Sequence, residues 1–381
     1  MPEVALLHHQ YGPYHVARAR ALQRRIDGRV HFVQLASAEA LRAWRLEGPV
    51  PELVTLAEGT LEHIPGRQLA RAMRAALDRL NPQVVVVAGY THAAMRAAAR
   101  WCRRNRVAAI LLSDSHYIDR ARHRVKEWTK REWVSRHFDA VFTAGNLSAA
   151  YARTLGFPPS RIWRGYDVVD NAAFALRAAL AQARGSSLLR DLALPERSFL
   201  YVGRFSREKN LHGLLAAIAD YRQRAGASAW GLLLVGAGPE AESLERRVAA
   251  MRGSVAITGF CQADQLAEAY TAAAALILPS TSEPWGLVIN EAMACGLPIL
   301  ASDRAGAAWD LVFPGVNGYI FDPGDRGDMV EAMLRLSSEG VDLQAMGVAS
   351  RRIIANYTPE TWAAALSDCI EVTLDRRTRS G

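Results

Sequence analysis

Hydrophobic positions along this chain follow two rhythms. Short, nearly continuous apolar runs recur at 4–8, 30–35, 84–88, 109–112, 140–143 and 162–165. Between them lie longer stretches with apolar residues every three or four positions, at 16–26, 66–80, 93–105, 125–137 and 147–155. The first rhythm fits strands buried on both faces, and the second fits amphipathic helices that cover them. The alternation breaks over 176–194, where a helical run gives way to Gly185, Ser186 and Ser187, with Pro195 just beyond. Such turn-formers read as a connection between domains. The pattern then restarts. Strands are predicted at 199–202, 231–235, 256–258, 275–278, 298–301 and 318–321, and helices at 211–224, 240–252, 263–272, 286–294, 326–338 and 343–355. Thr358 followed by Pro359 marks the start of a last helix, because proline is preorganised for the first helical position.

The implied fold class is α/β: two open, doubly wound sheets in series. At roughly 150 residues per domain, 381 residues accommodate two domains, or three. Ligands of such sheets bind at the carboxyl ends of the strands, so two facing sheets predict an interdomain cleft. With 50% hydrophobic and 22% charged residues, the composition is that of a folded globular protein rather than a disordered one. The longest apolar runs, 84–88, 231–236 and 272–279, fall short of the ~18 residues that span a bilayer. No secretory leader is visible in the first residues. The four cysteines, Cys102, Cys261, Cys295 and Cys369, form no CxxC pair, so neither a disulfide scaffold nor a zinc finger is expected, and a cytoplasmic setting is.

Charge separates the two halves. Lys and Arg outnumber Asp and Glu by 8 overall, with the excess confined to the residues before 171. Nearly all the positive charge is arginine; Lys126, Lys130 and Lys209 are the only lysines. The stretch 118–137 holds seven Lys/Arg against three acids, together with Trp128 and Trp133. A basic, tryptophan-bearing helix of this kind lies against an anionic membrane surface, binds an anionic acceptor such as a lipid-linked phosphate, or is a solvated face with its tryptophans packed inward.

One motif misleads. Gly236-Ala237-Gly238-Pro239-Glu240-Ala241 fits the GxGxxA dinucleotide fingerprint between a strand and a helix. The next predicted strand ends without the acid that would hold a ribose, and a complete α/β unit already precedes it. We therefore read it as a tight strand-to-helix turn.

Two other segments carry chemistry. After the strand at 275–278 comes a polar loop with Glu283, then a helix opening near Gly286 with Glu291 just over one turn inside it. Backbone N–H groups of Gly286, Leu287 and Val288 can bind phosphate at that helix tip, aided by the helix dipole. Carboxylates at 283 and 291 can accept hydrogen bonds from sugar hydroxyls; the structural alternative makes Glu283 a dipole partner and Glu291 a surface residue. After the strand at 199–202 stand Arg204 and Lys209, two cations able to neutralise a departing diphosphate.

These segments, VGRFSREKN and SEPWGLVINEAMACGLPILAS, resemble family 4 of the retaining glycosyltransferases (glycosyl transferase group 1), whose fold is GT-B. Glu283 and Glu291, eight apart, match its paired-glutamate motif. The resemblance implies two Rossmann-like domains facing a cleft: an acceptor-binding domain over 1–175 joined by a crossing helix at 358–381, a linker at 176–197, and a nucleotide-sugar domain over 198–357. It implies that Arg204 and Lys209 bind the donor diphosphate, Glu291 the ribose and Glu283 the donor sugar, with the amides of Gly286, Leu287 and Val288 on phosphate and sugar oxygens. Thr258 and Gly259 match the loop beside the base. His116, after a middle strand of the first half, matches the family's catalytic-site histidine, or is structural. Gly12 stands alone where members often carry two glycines, so it is either a phosphate contact or a turn. No metal or other cofactor is implied.

The expected activity is retaining, metal-independent transfer of a sugar from a UDP- or GDP-linked donor to a hydroxyl acceptor. The alternatives are a GT-B epimerase or phosphorylase, and a non-catalytic nucleotide-sugar-binding protein. No nucleic-acid-binding motif is present, so nucleic acid is not an expected partner.

Overall fold

The structure is a computed structural model and describes residues 2–39, 48–120, 122–251 and 253–380. It divides into two compact units. Unit 1 comprises Met1–Tyr117, Ala121–Val169 and Tyr357–Gly381; unit 2 comprises Ile118–Arg120 and Asp170–Asn356.

In unit 1, strands β1 (Glu3–His8), β2 (Arg29–Gln34), β3 (Leu53–Thr55), β4 (Val84–Ala88), β5 (Ala108–Ser113), β6 (Ala140–Thr143) and β7 (Ile162–Arg164) form one sheet in the order β3-β2-β1-β4-β5-β6-β7. All its pairings are parallel. Helices α1 (Pro13–Arg25), α2 (Gly66–Leu80), α3 (Ala93–Asn105), α4 (Arg124–His137) and α5 (Asn146–Thr154) connect them. Successive strand side chains point to opposite faces. Val4, Leu6, Val84 and Val86 enter one core with Val16 and Leu22 of α1. Ala5, Leu7, Val85 and Val87 enter the other with Met73 of α2 and Met95 of α3. Burial on both faces is why these strands read as continuous apolar runs.

Unit 2 repeats the plan. Helices α6 (Asn171–Arg184) and α7 (Leu188–Asp191) come first, then β8 (Ser198–Val202), α8 (Leu211–Ala225), β9 (Gly231–Val235), α9 (Ala241–Ala249), β10 (Val255–Thr258), α10 (Ala263–Ala272) and β11 (Ala275–Leu278). There follow α11 (Leu287–Cys295), β12 (Ile299–Ser302), α12 (Ala308–Leu311), β13 (Gly318–Phe321), α13 (Arg326–Ser337) and α14 (Leu343–Ile354). The sheet order is β10-β9-β8-β11-β12-β13, again parallel throughout. The chain then re-enters unit 1 through α15 (Pro359–Ser380). Thr358 caps it, its hydroxyl accepting from the Thr361 amide at 3.2 Å. Trp362, Leu366 and Ile370 of α15 are at most 1% exposed and complete the core that α1 shares with the sheet.

The stretch 176–197, expected as a linker, is part of unit 2 instead. Helix α6 packs on α10 and α11, and buries Phe174 and Ala178. Gly185, with φ +70°, ends α6 rather than opening a flexible tether.

Candidate functional site

In an open parallel sheet the crevice for a ligand opens where the strand order reverses direction. In unit 2 that point lies between β8 and β11, and the loops leaving these two strands are the two chemistry-bearing segments of the sequence.

The loop after β8 is held by backbone contacts that admit no side chain. Gly203 (φ +151°) donates its amide to Val235 at 3.0 Å, and Phe205 donates to Ala237 at 2.8 Å. A Cβ on Gly236 would sit 1.9 Å from the Gly203 carbonyl oxygen, and one on Gly238 would sit 2.3 Å from that of Phe205. The glycines of the GxGxxA segment therefore let the loop after β9 press against the loop carrying Arg204. Tyr201 braces that loop from inside, donating its hydroxyl to the Arg204 carbonyl at 2.9 Å. Burial, reinforced by the charges of Glu283 and Glu208, raises the Tyr201 phenol well above its ordinary value, so it stays a donor.

The Arg204 side chain is exposed. Lys209 ends a single turn of 3-10 helix, and its ammonium bonds to Glu283, which also accepts from Ser280 Oγ at 3.2 Å. The side chains of Lys209 and Glu283 are 19% and 12% exposed, so the pair is shielded more than a surface ion pair. Two residues expected to serve different parts of a donor thus touch. Lys209 has three N–H groups, and one bond to Glu283 leaves two donors for a phosphate. Burial alone would raise the Glu208 carboxyl; the Ser206 hydrogen bond and the charges of Lys209 and Arg204 outweigh it and hold its pKa below the usual range. The backbone of Glu208 ties the loops together: its carbonyl accepts from the Thr281 amide at 2.8 Å.

Gly286 caps α11 with φ +100°, a left-handed conformation that favours glycine. A Cβ there would also press on Leu278 at 3.0 Å. This geometry turns the chain sharply enough for the first-turn amides of Leu287 and Val288 to open the helix, where no carbonyl four residues back serves them. Trp285 locks the turn by donating Nε1 to Asn290 Oδ1 at 2.9 Å, both side chains being buried. Glu291 is only 3% exposed and accepts from the Tyr270 hydroxyl at 2.7 Å. It is a held carboxylate, not a surface residue. Its partner comes from α10, and the regular tyrosine-bearing helix at 263–272 gave no sequence signal for that contact. Thr258 ends β10, and its carbonyl accepts from the Gly236 amide at 3.1 Å; Gly259 follows it, exposed.

The first-half candidates belong to unit 1. His116 follows β5 and is fully buried, and Arg122 donates to its carbonyl. Gly12 precedes α1 with φ −111°, and its amide donates to His15 Nδ1 at 2.8 Å. That places it as a helix-entry residue whose amide is already engaged. In the basic stretch, Trp133 packs inward, stacked on His137 with ring centroids 4.4 Å apart, whereas Trp128 is 64% exposed. The four cysteines are free, and among the described residues no cluster of His, Cys, Asp and Glu suits a metal ion.

The fold is the pair of Rossmann-like units of the GT-B class. It is shared with sucrose-phosphate synthase from Thermosynechococcus elongatus (TM-score 0.75, 20% identity, 99% of this chain and 100% of that one). It is shared too with Anabaena HepE in complex with UDP and glucose (TM-score 0.72, 18% identity, 98% and 100%). Residues 191–357, most of unit 2, match the family described as glycosyl transferases group 1. The chain is 34% identical over 169 residues to the sulfoquinovosyl transferase of Arabidopsis thaliana, covering 44% of this chain and 31% of the relative. It is 32% identical over 222 residues to the D-inositol 3-phosphate glycosyltransferase of Rhodococcus opacus (strain B4), covering 56% and 48%. It spans less than two thirds of the length of these relatives.

Proposed function

We propose that the chain transfers a sugar from a UDP- or GDP-linked donor to a hydroxyl acceptor, with retention of anomeric configuration and without a metal. The observation that carries this reading is the gathering of Arg204, Lys209, Glu283 and the opening turn of α11 at the β8/β11 switch point. Lys209 and Arg204 stabilise negative charge on the diphosphate as the bond from the anomeric carbon to the phosphate oxygen breaks. The amides of Gly286, Leu287 and Val288 hold phosphate oxygens, and Glu283 orients the donor sugar. Glu291, fixed by Tyr270, takes the ribose hydroxyls, while Thr258 and Gly259 flank the base. The departing phosphate oxygen takes the proton of the acceptor hydroxyl on the same face as the new bond forms. The uridine ligand of HepE makes UDP the first donor base to try.

Thermal unfolding with UDP, GDP, UDP-glucose and GDP-mannose tests this directly, because a ligand present at 100 times its Kd stabilises by about 2.7 kcal/mol. One nucleoside diphosphate and its sugar should raise the Tm. Absence of a shift with all four would overturn the reading.

A second proposal concerns location at the cytoplasmic membrane surface. No helix among the described residues is long and apolar enough to cross a membrane. On α4, however, Val125 and Trp128 are exposed beside exposed Arg124, Lys126 and Arg131. The acids of that helix are occupied: Glu127 accepts from the Tyr151 hydroxyl and pairs with Arg122 and Lys130, and Glu132 pairs with Arg136 at 2.9 Å. An outward face of cations and tryptophan suits an anionic lipid surface. The protein should float with phosphatidylglycerol vesicles at low salt, and Trp128→Ala with Lys126→Ser should weaken flotation roughly tenfold, at about 1 kcal/mol per surface cation. Flotation equal to that with phosphatidylcholine vesicles would sink the idea.

A further inference from the structure

Asn210 stands where the chain passes from the single 3-10 turn that ends in Lys209 into α8. Its backbone is left-handed, with φ +56° and ψ 36°, a conformation that asparagine tolerates better than most residues with a side chain. An asparagine in front of a helix ordinarily takes extended angles and accepts from an amide of the first turn. Asn210 makes no such cap bond among the described residues. Its Nδ2 donates instead to the carbonyl of Pro323, 113 positions away, at 3.2 Å. Capping does not account for this side chain; a tie between two loops does.

Both ends of the tie are held. Helix α8 is anchored by Leu211, Leu214, Leu215 and Ile218, each at most 1% exposed, and the Asn210 carbonyl accepts from the Leu214 amide at 3.0 Å. Pro323 lies in the turn after β13, which Asp322 braces: its amide donates to Asp328 Oδ2 at 2.7 Å, and its Oδ1 accepts from the Gly324 amide at 2.8 Å. Helix α13, which follows that turn, packs on α8. The first turn of α8 also makes room for the amide. A Cβ on Gly213 would lie 2.4 Å from Asn210 Oδ1 and 2.9 Å from both its Cγ and its Nδ2. Glycine is a poor helix former, and at 213 it lets the Asn210 side chain lie over the helix.

Lys209 hangs on this joint. A single 3-10 turn has poorer hydrogen-bond geometry than an α-helix, and a lysine stem is flexible, so the direction of the ammonium depends on what fixes the turn. Within the turn, Lys209 donates its amide to the Ser206 carbonyl at 2.9 Å and Asn210 donates to that of Arg207 at 3.1 Å. The Thr281 amide fastens the middle of the turn at the Glu208 carbonyl. The bond from Asn210 to Pro323 fastens its end.

We propose that Asn210 is a positioning residue for the transfer reaction: by tying the end of the 3-10 turn to the loop after β13, it holds the Lys209 ammonium at Glu283, where the departing diphosphate is met. The inference rests on the glycosyl-transfer reading and adds to it a residue that acts through Lys209.

Two substitutions in the full chain break the tie by different routes. Asn210→Gly keeps the left-handed backbone and removes the amide. Gly213→Ala leaves Asn210 in the sequence but displaces its side chain, and because alanine is the better helix former it should melt at or above the wild-type Tm. Both should lower kcat for nucleoside diphosphate release from UDP-glucose or GDP-mannose roughly threefold to tenfold, the loss of one hydrogen bond, with the donor KM unchanged. In a Lys209→Ala chain the same substitutions should cost nothing further, because losses within one network do not add. Lys209 is the only lysine of unit 2, so labelling with a lysine-acylating reagent, read by peptide mass spectrometry, reports on it without turnover. In both variants Lys209 should be labelled several-fold faster than in the wild type, while Lys126 and Lys130 of unit 1 keep their rates. Wild-type labelling of Lys209 in both variants, wild-type kcat in both, or losses that multiply with that of Lys209→Ala would each overturn the inference. A wild type that releases neither UDP nor GDP, yet whose Lys209 labelling responds as stated, would instead refute the transfer reading and leave the tie standing.

Discussion

The two sheets share one order over six strands, unit 1 adding β7 at its edge, yet their switch points are furnished oppositely. In unit 2 the reversal between β8 and β11 gathers formal charge: Lys209 bonded to Glu283, Arg204 exposed, and Glu291 held by Tyr270. In unit 1 the reversal between β1 and β4 gathers imidazoles whose tautomers are set by backbone amides. The same architecture therefore carries formal charge at one switch point and a gathering of imidazole rings at the other. Topology decides where a site opens; the side chains at the strand ends decide its chemistry.

The contrast can be broken most directly at Lys209. Lys209→Ala should slow UDP release by about 30-fold to 1000-fold, the effect of removing about 2–4 kcal/mol of transition-state stabilisation. Turnover at the wild-type rate would show that the charged switch point is not where bond cleavage is assisted. Next in size is the packing that positions Arg204. Gly238→Ala puts a methyl 2.3 Å from the Phe205 carbonyl oxygen and should cost about 1–3 kcal/mol of stability, read as a lower midpoint in urea. A nucleotide fingerprint role would predict instead normal stability with lost affinity. Tyr270→Phe frees the Glu291 carboxylate and should weaken nucleoside diphosphate binding about tenfold by calorimetry, since a hydrogen bond to a charged group contributes about 1.5–3 kcal/mol. The smallest effect sharpens the unit 1 side. The His92 pKa in the folded chain lies below its unfolded value, so its contribution to stability is complete above the ordinary imidazole range. It should be lost as the pH falls through the lowered value. A shallow acid-side decline in Tm that His92→Ser removes would confirm the sign.

Much of this was legible in the residues because both sheets are buried on both faces. Strands at 84–88, 140–143, 231–235, 275–278 and 318–321, and helices at 66–80, 93–105 and 263–272, fall where the apolar rhythm predicts them. Strand β3 was not legible, since three residues at a sheet edge carry too short a pattern. The span 176–197 was misread because Gly185 and Pro195 mark turns equally well inside a unit and between units. In the site, the first turn of α11 and the cations after β8 were visible as local motifs. The bond between Lys209 and Glu283 was not, because it joins residues 74 positions apart through the adjacency of β8 and β11. The imidazole gathering was hidden for the same reason: His92 reaches His9 only because β4 lies beside β1.

The membership of α15 in unit 1 has a consequence for how the chain matures on the ribosome. One wall of the unit 1 core is supplied by Trp362, Leu366 and Ile370, each burial being worth about 1.5–3 kcal/mol, and these residues emerge after the whole of unit 2. The domain begun first is thus completed last. Throughout that interval the face of α1 that meets α15, and Phe142 beside Trp362, lack their cover, so the core of unit 1 cannot close until unit 2 has been made.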